Sequence, residues 1–361
     1  LLGFGIVIPI LPFYAKEFGA TATVIGWLMA SFSIMQFFFS PVWGKLSDRI
    51  GRRPVLLISV FGSAIAYLIM GWAGSLFGLF IGRVLGGISS GNLSTAYAYI
   101  TDITTDENRA KGMGMLGAAF GLGFTMGPGI GGVLSHYGHE MPMYFASALA
   151  LLNTVFGYFY LQEPPRHKPI DQEFKKKTRF ELITHSLAHA PTALPIFLYF
   201  IMTLAITQVE VVFPIYMGDF FGFNAQKTGY IMAASGVVMV IIQGGLIGRL
   251  TRRYGEKKLV FIGAIIGVVA LGVFGSTLSL SIGVGALMGL ALGRGLLHPA
   301  LSSLTSMGAH SSERGAVMGV FQSSGSLARI IGPPAAGFCY DALTPRSPFY
   351  TACGLMLVVL G

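Results

Sequence analysis

Charge is what this sequence has least of. Only 11% of its 361 residues are charged, against 53% that are apolar, where an ordinary soluble domain carries about 25% charge. A water-soluble fold of this length needs more charge to cover its surface. The scarcity argues against a cytoplasmic enzyme, a disordered chain and a nucleic-acid binder, in spite of a formal net charge of +9. Cysteine is scarce too: two residues exclude a disulfide scaffold or a multi-Cys zinc framework. No His/Cys cluster has metal-ligand spacing, so no metal site is expected. No Gly-x-x-x-x-Gly-Lys-Ser/Thr loop is present, which speaks against an ATP-driven pump, and no other cofactor is implied. No basic segment opens a signal peptide. The first residue is Leu, and both ends fall inside apolar runs, Leu1 to Phe13 and Gly354 to Gly361. Both ends are therefore expected to be cut within a membrane span.

What is abundant is glycine, 50 residues, about twice the usual share and without a collagen period. High glycine among long apolar runs fits packed transmembrane helices. A span needs roughly 20 mostly apolar residues, and twelve are predicted: 1–18, 23–43, 54–73, 76–101, 108–135, 141–161, 192–218, 226–248, 257–276, 281–307, 313–339 and 346–361. Most connections are short, so neighbouring spans run antiparallel. One stretch, Glu163 to His189, is polar. It divides the chain into a first six-helix bundle at 1–162, a cytoplasmic linker at 163–190 and a second six-helix bundle at 191–361. The fold class is all-α and polytopic.

The basic residues orient this topology. Loops after even-numbered spans, with the adjoining span ends, hold 18 of the 24 Lys and Arg: Lys45, Arg49, Arg52 and Arg53; Arg109 and Lys111; Arg166, Lys168, Lys175, Lys176, Lys177 and Arg179; Arg249, Arg252, Arg253, Lys257 and Lys258; and Arg314. Loops after odd-numbered spans hold Lys16, Lys227 and Arg346, while Arg83, Arg294 and Arg329 lie inside spans. Such a bias places the even loops, and both termini, in the cytoplasm. The positive charge reports orientation and not a nucleic-acid partner.

The halves repeat at a shift of roughly 200 residues. Leu11-Pro12-Phe13-Tyr14 answers Phe213-Pro214-Ile215-Tyr216, and Gly44 to Gly51 answers Gly248 to Gly255. Gly82-Arg83 answers Gly293-Arg294, Glu107 and Arg109 answer Glu313 and Arg314, and Gly127-Pro128 answers Gly332-Pro333. A parallel repeat of six spans is a transporter architecture; a receptor or a membrane enzyme is the alternative.

The loop Gly44-Lys-Leu-Ser-Asp48-Arg49-Ile-Gly51-Arg52-Arg53 resembles the signature of the major facilitator superfamily between its second and third spans. Gly44 and Gly51 are expected to permit a tight turn. Asp48 is expected to accept from amides at a nearby helix N-terminus, and the arginines to reach a carboxylate on a neighbouring span end, with Asp102 and Glu107 on the same membrane face. The resemblance implies a cytoplasmic latch between the bundles made of Gly44, Asp48, Arg49, Gly51, Arg52, Arg53 and Asp102. The alternative is that these charges only mark the inside. The second copy has Arg252 in place of Asp48, so the latch is expected to be asymmetric.

In the fifth span Gly123-Phe-Thr-Met-Gly127-Pro128-Gly-Ile-Gly131-Gly132 resembles the Gly-Pro signature of the drug–proton antiporters of that superfamily, tetracycline efflux proteins included. Pro128 is expected to bend the span, and the glycines to admit a close partner from the other bundle; an ordinary packing face is the alternative. The branch usually has an aspartate just before the point at which this chain begins.

Charges inside spans carry the candidates for proton coupling or for the substrate cavity. Glu210 is the only carboxylate deep in a span, and desolvation favours its protonation; a fixed ion pair is the alternative. The resemblance implies a proton-coupling role for Arg83, against a structural one bonded to carbonyls. Gln36, Asn92, Asn153, Gln208, Gln243, Gln322, Arg294, His298 and Arg329 are the other polar candidates, with Arg294 and His298 on one helix face. The 28 Phe and 16 Met weakly favour a bulky apolar cargo. The expected function is export of a small hydrophobic or amphiphilic compound by alternating access, coupled to proton entry. A uniporter or symporter of a metabolite, or a non-transporting receptor, is the alternative. The expected partners are a small-molecule substrate, protons and the lipid bilayer of a plasma or bacterial inner membrane, with one chain as the working unit.

Overall fold

The computed structural model describes residues 2–164, 189–310 and 313–361, all but the side chains of residues 106, 107, 109–111, 118 and 120. Among the described residues every regular element is a helix. That is what a bilayer imposes on a chain of apolar runs, because backbone groups without water must bond within their own segment. The helical rods are α1 Leu2–Glu17, α2 Ala22–Ile50, α3 Arg52–Gly71, α4 Leu76–Ile103, α5 Asp106–Leu134 and α6 Met141–Tyr160, then α7 Ala190–Phe221, α8 Ala225–Tyr254, α9 Glu256–Ser276, α10 Leu280–Gly308, α11 Arg314–Ala342 and α12 Ser347–Leu360. Nine of these helices are long and apolar enough to cross a membrane. The other three are α1, α11 and α12. A 3-10 turn interrupts α4 at Ser90–Asn92, and a π-turn interrupts α8 at Ile242–Leu246.

The helices form two compact units. The first comprises Leu1–Arg166 together with Phe213–Ala233, and the second His167–Val212 together with Ala234–Gly361. The division therefore does not follow the covalent repeat: the end of α7 and the start of α8 group with the first six helices. Within the first unit α1 lies against α5 and α6, α3 against α4 and α6, and α2 against α4. Within the second, α9 packs on α10 and α12, and α11 on the same two helices.

Glycine makes the closest of these approaches. A Cβ on Gly5 would stand 2.2 Å from the carbonyl oxygen of Gly123, and one on Gly127 would stand 2.6 Å from the Cα of Gly5. Helices α1 and α5 therefore touch backbone to backbone. The repeat-equivalent place in the second unit is also close, since a Cβ on Gly332 of α11 would meet the Thr207 hydroxyl of α7 at 2.2 Å and the Leu204 carbonyl at 3.2 Å. Lipid tails are as apolar as leucine, so helices in a bilayer associate through such van der Waals contact and not by escape from water.

This packing gives a direct test. Gly5→Ala should lower the thermal stability of the detergent-purified protein by about 2 kcal/mol, the scale of overpacking in a tight interior. Gly285→Ala in α10, where a Cβ meets nothing within 4 Å, should leave it unchanged or raise it slightly. Equal melting temperatures for the two variants would refute the seam.

Candidate functional site

Three groups of polar or small residues stand out against the apolar helices. The first lies where α2 turns into α3. Helix α2 continues through Ile50 and does not stop near residue 43, so Gly44 is an interior helix residue and does not form the turn as expected. The turn falls to Gly51 alone, whose φ of +109° suits glycine and whose N–H donates back to Ser47 O. Gly255 of the repeat holds the same place, with φ of +75°.

Arg52 is the hub of this group. Its Nη1 donates to Asp48 Oδ1 at 2.6 Å and to Ser47 Oγ at 2.6 Å, and its Nε donates to Asp102 Oδ2 of α4 at 3.0 Å. The expected reach to a carboxylate on a neighbouring span end is thus made by Arg52 to Asp102. Asp48 does not cap a helix N-terminus as expected; four residues before Arg52, on the other side of the Gly51 turn, it pairs with that side chain instead. The cap comes from Glu163, just beyond α6. Its two carboxylate oxygens accept from the backbone N–H of Arg52 at 2.7 Å and of Arg53 at 2.9 Å, where the helix dipole favours an anion. Arg53 reaches back to the carbonyl of Tyr158 at 2.5 Å, and Tyr99 donates to the carbonyl of Gln162 at 2.9 Å. The group ties α2, α3, α4 and the end of α6 together inside the first unit. Arg49 is exposed at the end of α2. The side chains of Glu107 and Arg109, and most of the linker at 163–190, lie outside the described residues.

The second group is the Gly-Pro stretch of α5, which stays helical through Pro128. Gly123, Gly127 and Gly131 meet the backbone of α1, while Gly132 faces the first turn of α8, where its added Cβ would lie 3.0 Å from Gln226 O and 3.3 Å from the Cα of Gly229. A Cβ on Gly229 would stand 2.6 Å from the carbonyl of Pro128. The stretch thus has two close partners, one from each half of the repeat, both in the first unit. An ion pair between Lys16 and Asp219 joins the ends of α1 and α7 in the same unit.

The third group consists of the charges inside spans. Arg83 is buried and donates to the carbonyls of Leu28 at 3.4 Å and Met29 at 3.2 Å, with its guanidinium 4.5 Å from the Phe32 ring. No carboxylate pairs with it among the described residues. Glu210 of α7 is not isolated: Arg294 of α10 donates to its Oε1 at 2.5 Å, and both side chains are partly exposed, 32% for Arg294 and 25% for Glu210. One turn along α10, His298 lies edge-on to Tyr199 and Phe321, rings that stack on each other at 3.9 Å.

The remaining candidates do not join these groups. Gln36 and Asn92 are used inside the first unit, donating to Ser90 O and Ser59 Oγ. Gln208 is buried and accepts from Thr351. Asn153 and Gln322 are exposed on α6 and α11. Arg329 bonds Ser326 of its own helix.

The major facilitator superfamily model matches this chain over residues 1–306 and 244–361. The chain belongs to the major facilitator superfamily. It is 32% identical to multidrug resistance protein 2 of Bacillus subtilis (strain 168), covering 100% of this chain and 90% of that protein. It is 31% identical to the class B tetracycline resistance protein of Escherichia coli, covering 95% and 86%. Among solved structures it resembles the human organic anion transporter MFSD10 (TETRAN) at 27% identity and a TM-score of 0.74, over 99% of this chain and 95% of that one. As a member of the superfamily the chain is a multi-pass integral membrane protein that carries small molecules by secondary transport, and not an enzyme.

Within this superfamily member, Glu163 is the residue that sequence reasoning missed. It stood at the edge of the polar stretch, and only the fold brings it to Arg52, 111 positions earlier. Its acidic character directly after an apolar span was the available signal. Glu163→Ala should lower stability by about 1 kcal/mol, as loss of an N-cap does, with Glu163→Gln losing less. Thermal melting of the two variants checks this, and unchanged melting of Glu163→Ala would show that the cap carries no stability.

Proposed function

We propose that this protein exports small, largely hydrophobic or amphiphilic compounds in exchange for entering protons, by alternating access. The observation that carries the reading is identity of 31–32% along nearly the whole chain to proteins named for multidrug and tetracycline resistance. The two-sided packing of the Gly-Pro stretch of α5 supports it, because the same helix touches both halves of the repeat at backbone distance.

In this reading the halves at 1–162 and 191–361 act as the two bundles, joined by the linker at 163–190. One chain suffices for transport, both termini are cytoplasmic, and the protein resides in a plasma or bacterial inner membrane. The group of Asp48, Arg52, Arg53 and Asp102, turned by Gly51 and extended by Glu163, forms the cytoplasmic gating element. Glu210 exchanges the proton. A proton on its carboxylate removes the charge that Arg294 neutralises, and so biases the equilibrium between two arrangements of the protein. Arg83, satisfied by carbonyls, holds α2 and α4 together and has a structural part in the cycle.

Proteoliposomes under an imposed pH gradient test the coupling. Substrate should drive proton flux, with tetracycline as a first probe alongside a compound library. Substrate flux that ignores the gradient would leave a uniporter. Asp48→Asn should cut the transport rate severalfold while the protein still inserts, since it removes the charge that Arg52 meets at 2.6 Å. Normal kinetics in that variant would sink the gating role. Glu210→Gln should flatten the pH dependence of transport, and an unchanged profile would take Glu210 out of the mechanism.

A further inference from the structure

Arg83 and Arg294 occupy equivalent places in the repeat, and their helices pack alike. A Cβ on Gly82 would stand 3.0 Å from the carbonyl of Ala66 in α3, and one on Gly293 would stand 2.8 Å from the carbonyl of Gly263 in α9. The two guanidiniums are nonetheless satisfied differently. Arg83 is buried against backbone carbonyls, which cannot leave. Arg294 meets a single carboxylate, from another helix, through a single Nη1–Oε1 bond and stays a third exposed. An arginine has five N–H donors and a carboxylate about four acceptor sites. Most of that capacity, including Arg294 Nε and Nη2 and Glu210 Oε2, has no protein partner among the described residues.

A ligand that enters such a pair must meet a strict condition. One carrying a single charge satisfies one partner and takes from the other the ion-pair contact it had, in a site only a quarter to a third exposed, where losing one partner costs more than on an open surface. A ligand carrying both charges re-pairs both partners at once. The surroundings also set its direction. Deep in the second unit Glu210 is the sole carboxylate among the described residues, while Arg294 and Arg329 are cations and His298 lies within Coulombic reach of both. The acidic end of a ligand therefore belongs on Arg294, and the cationic end on Glu210.

We propose that the Glu210–Arg294 pair is a substrate subsite that selects zwitterionic amphiphiles, opening so that Arg294 takes the acid of the cargo and Glu210 its ammonium. This rests on the export reading above in taking the pair as part of the transport path. It also supplies the competition that exchange requires, because a proton and the ammonium of the cargo contend for the same carboxylate.

Four naphthalene derivatives of one shape, measured by calorimetry on the purified full chain in detergent, test the subsite without any flux. They are naphthylalanine, naphthylpropanoate, naphthylethylammonium and ethylnaphthalene. Naphthylalanine should bind about tenfold or more tighter than either mono-ion, the scale of one charge-assisted hydrogen bond. In Glu210→Gln that advantage over naphthylpropanoate should vanish, and in Arg294→Gln the advantage over naphthylethylammonium should vanish. Arg294→Gln leaves a lone carboxylate in the membrane and can fail to fold. The neutral double variant E210Q/R294Q avoids this, and it should bind all four without regard to charge. A mono-ion that binds wild type as tightly as naphthylalanine overturns the proposal, as does a zwitterion preference that survives in the double variant. Because these are binding measurements, loss of proton-coupled flux in proteoliposomes would count against the export reading alone.

Discussion

Close approach of one helix backbone to another is the constraint on which the rest of this structure depends. In water a helix face is held by burial of apolar area. In lipid that drive is absent between helices, and contact distance takes its place. Gly5 against Gly123 and Gly127 sets α1 on α5, and Gly332 against Thr207 sets α11 on α7. The internal repeat is thus a repeat of contacts as well as of letters. It places equivalent helices at equivalent depths, and so fixes where a side chain such as Arg83 or Arg294 stands before its partner is chosen.

Partners then diverge on a shared frame. The positive-φ glycines Gly51 and Gly255 both turn one helix into the next, yet among the described residues only the first turn has an aspartate before it and a carboxylate, that of Glu163 just beyond α6, upon it. Arg83 and Arg294 both follow a glycine pressed on a neighbouring carbonyl, yet one is locked to backbone and the other is paired with Glu210. Packing has been kept in both halves while charge has been spent unequally. That is the pattern expected when the scaffold must stay the same on both sides and the chemistry need not.

Which of these features were legible beforehand follows from their physical range. The apolar runs showed the helices because a bilayer leaves few alternatives. Glu210 was visible by elimination, as the only deep carboxylate. Its link to Arg294 was not, since the two stand 84 positions apart and no local pattern joins them. Gly44 was misplaced in the turn because hydropathy falls at Lys45, whereas helicity persists to Ile50; polarity marks where a helix leaves the membrane, not where it ends. Asp48 was assigned the cap that Glu163 provides, because an aspartate before Gly51 is near in sequence and a glutamate after α6 is near only in space. Asn153 and Gln322 were named as candidates for being polar within spans; the fold leaves each exposed on its helix, and a single polar residue in a span does not tell which side of the helix it takes. The grouping of Phe213–Ala233 with the first unit was equally hidden, because the repeat describes ancestry of sequence and not the neighbours a segment packs against.

The same contrast of range explains how a chain so poor in charge can combine firmness with rearrangement. A glycine seam is held at van der Waals distance, and a gap of even half an ångström forfeits a quarter or more of each atomic contact. Such seams move as blocks or not at all. An ion pair has another property: either partner can exchange its ligand for a proton, a hydroxyl or a second ion at small geometric cost, provided that no charge is left stranded. Arg83, enclosed by carbonyls, lacks that freedom and behaves as part of the seam. The Glu210–Arg294 pair retains it, and so does the Arg52 group, whose carboxylates come from α2, α4 and the chain just beyond α6. Among the described residues, the few charges outside the packed seams are therefore the groups whose partners can change without unpacking the helices that position them.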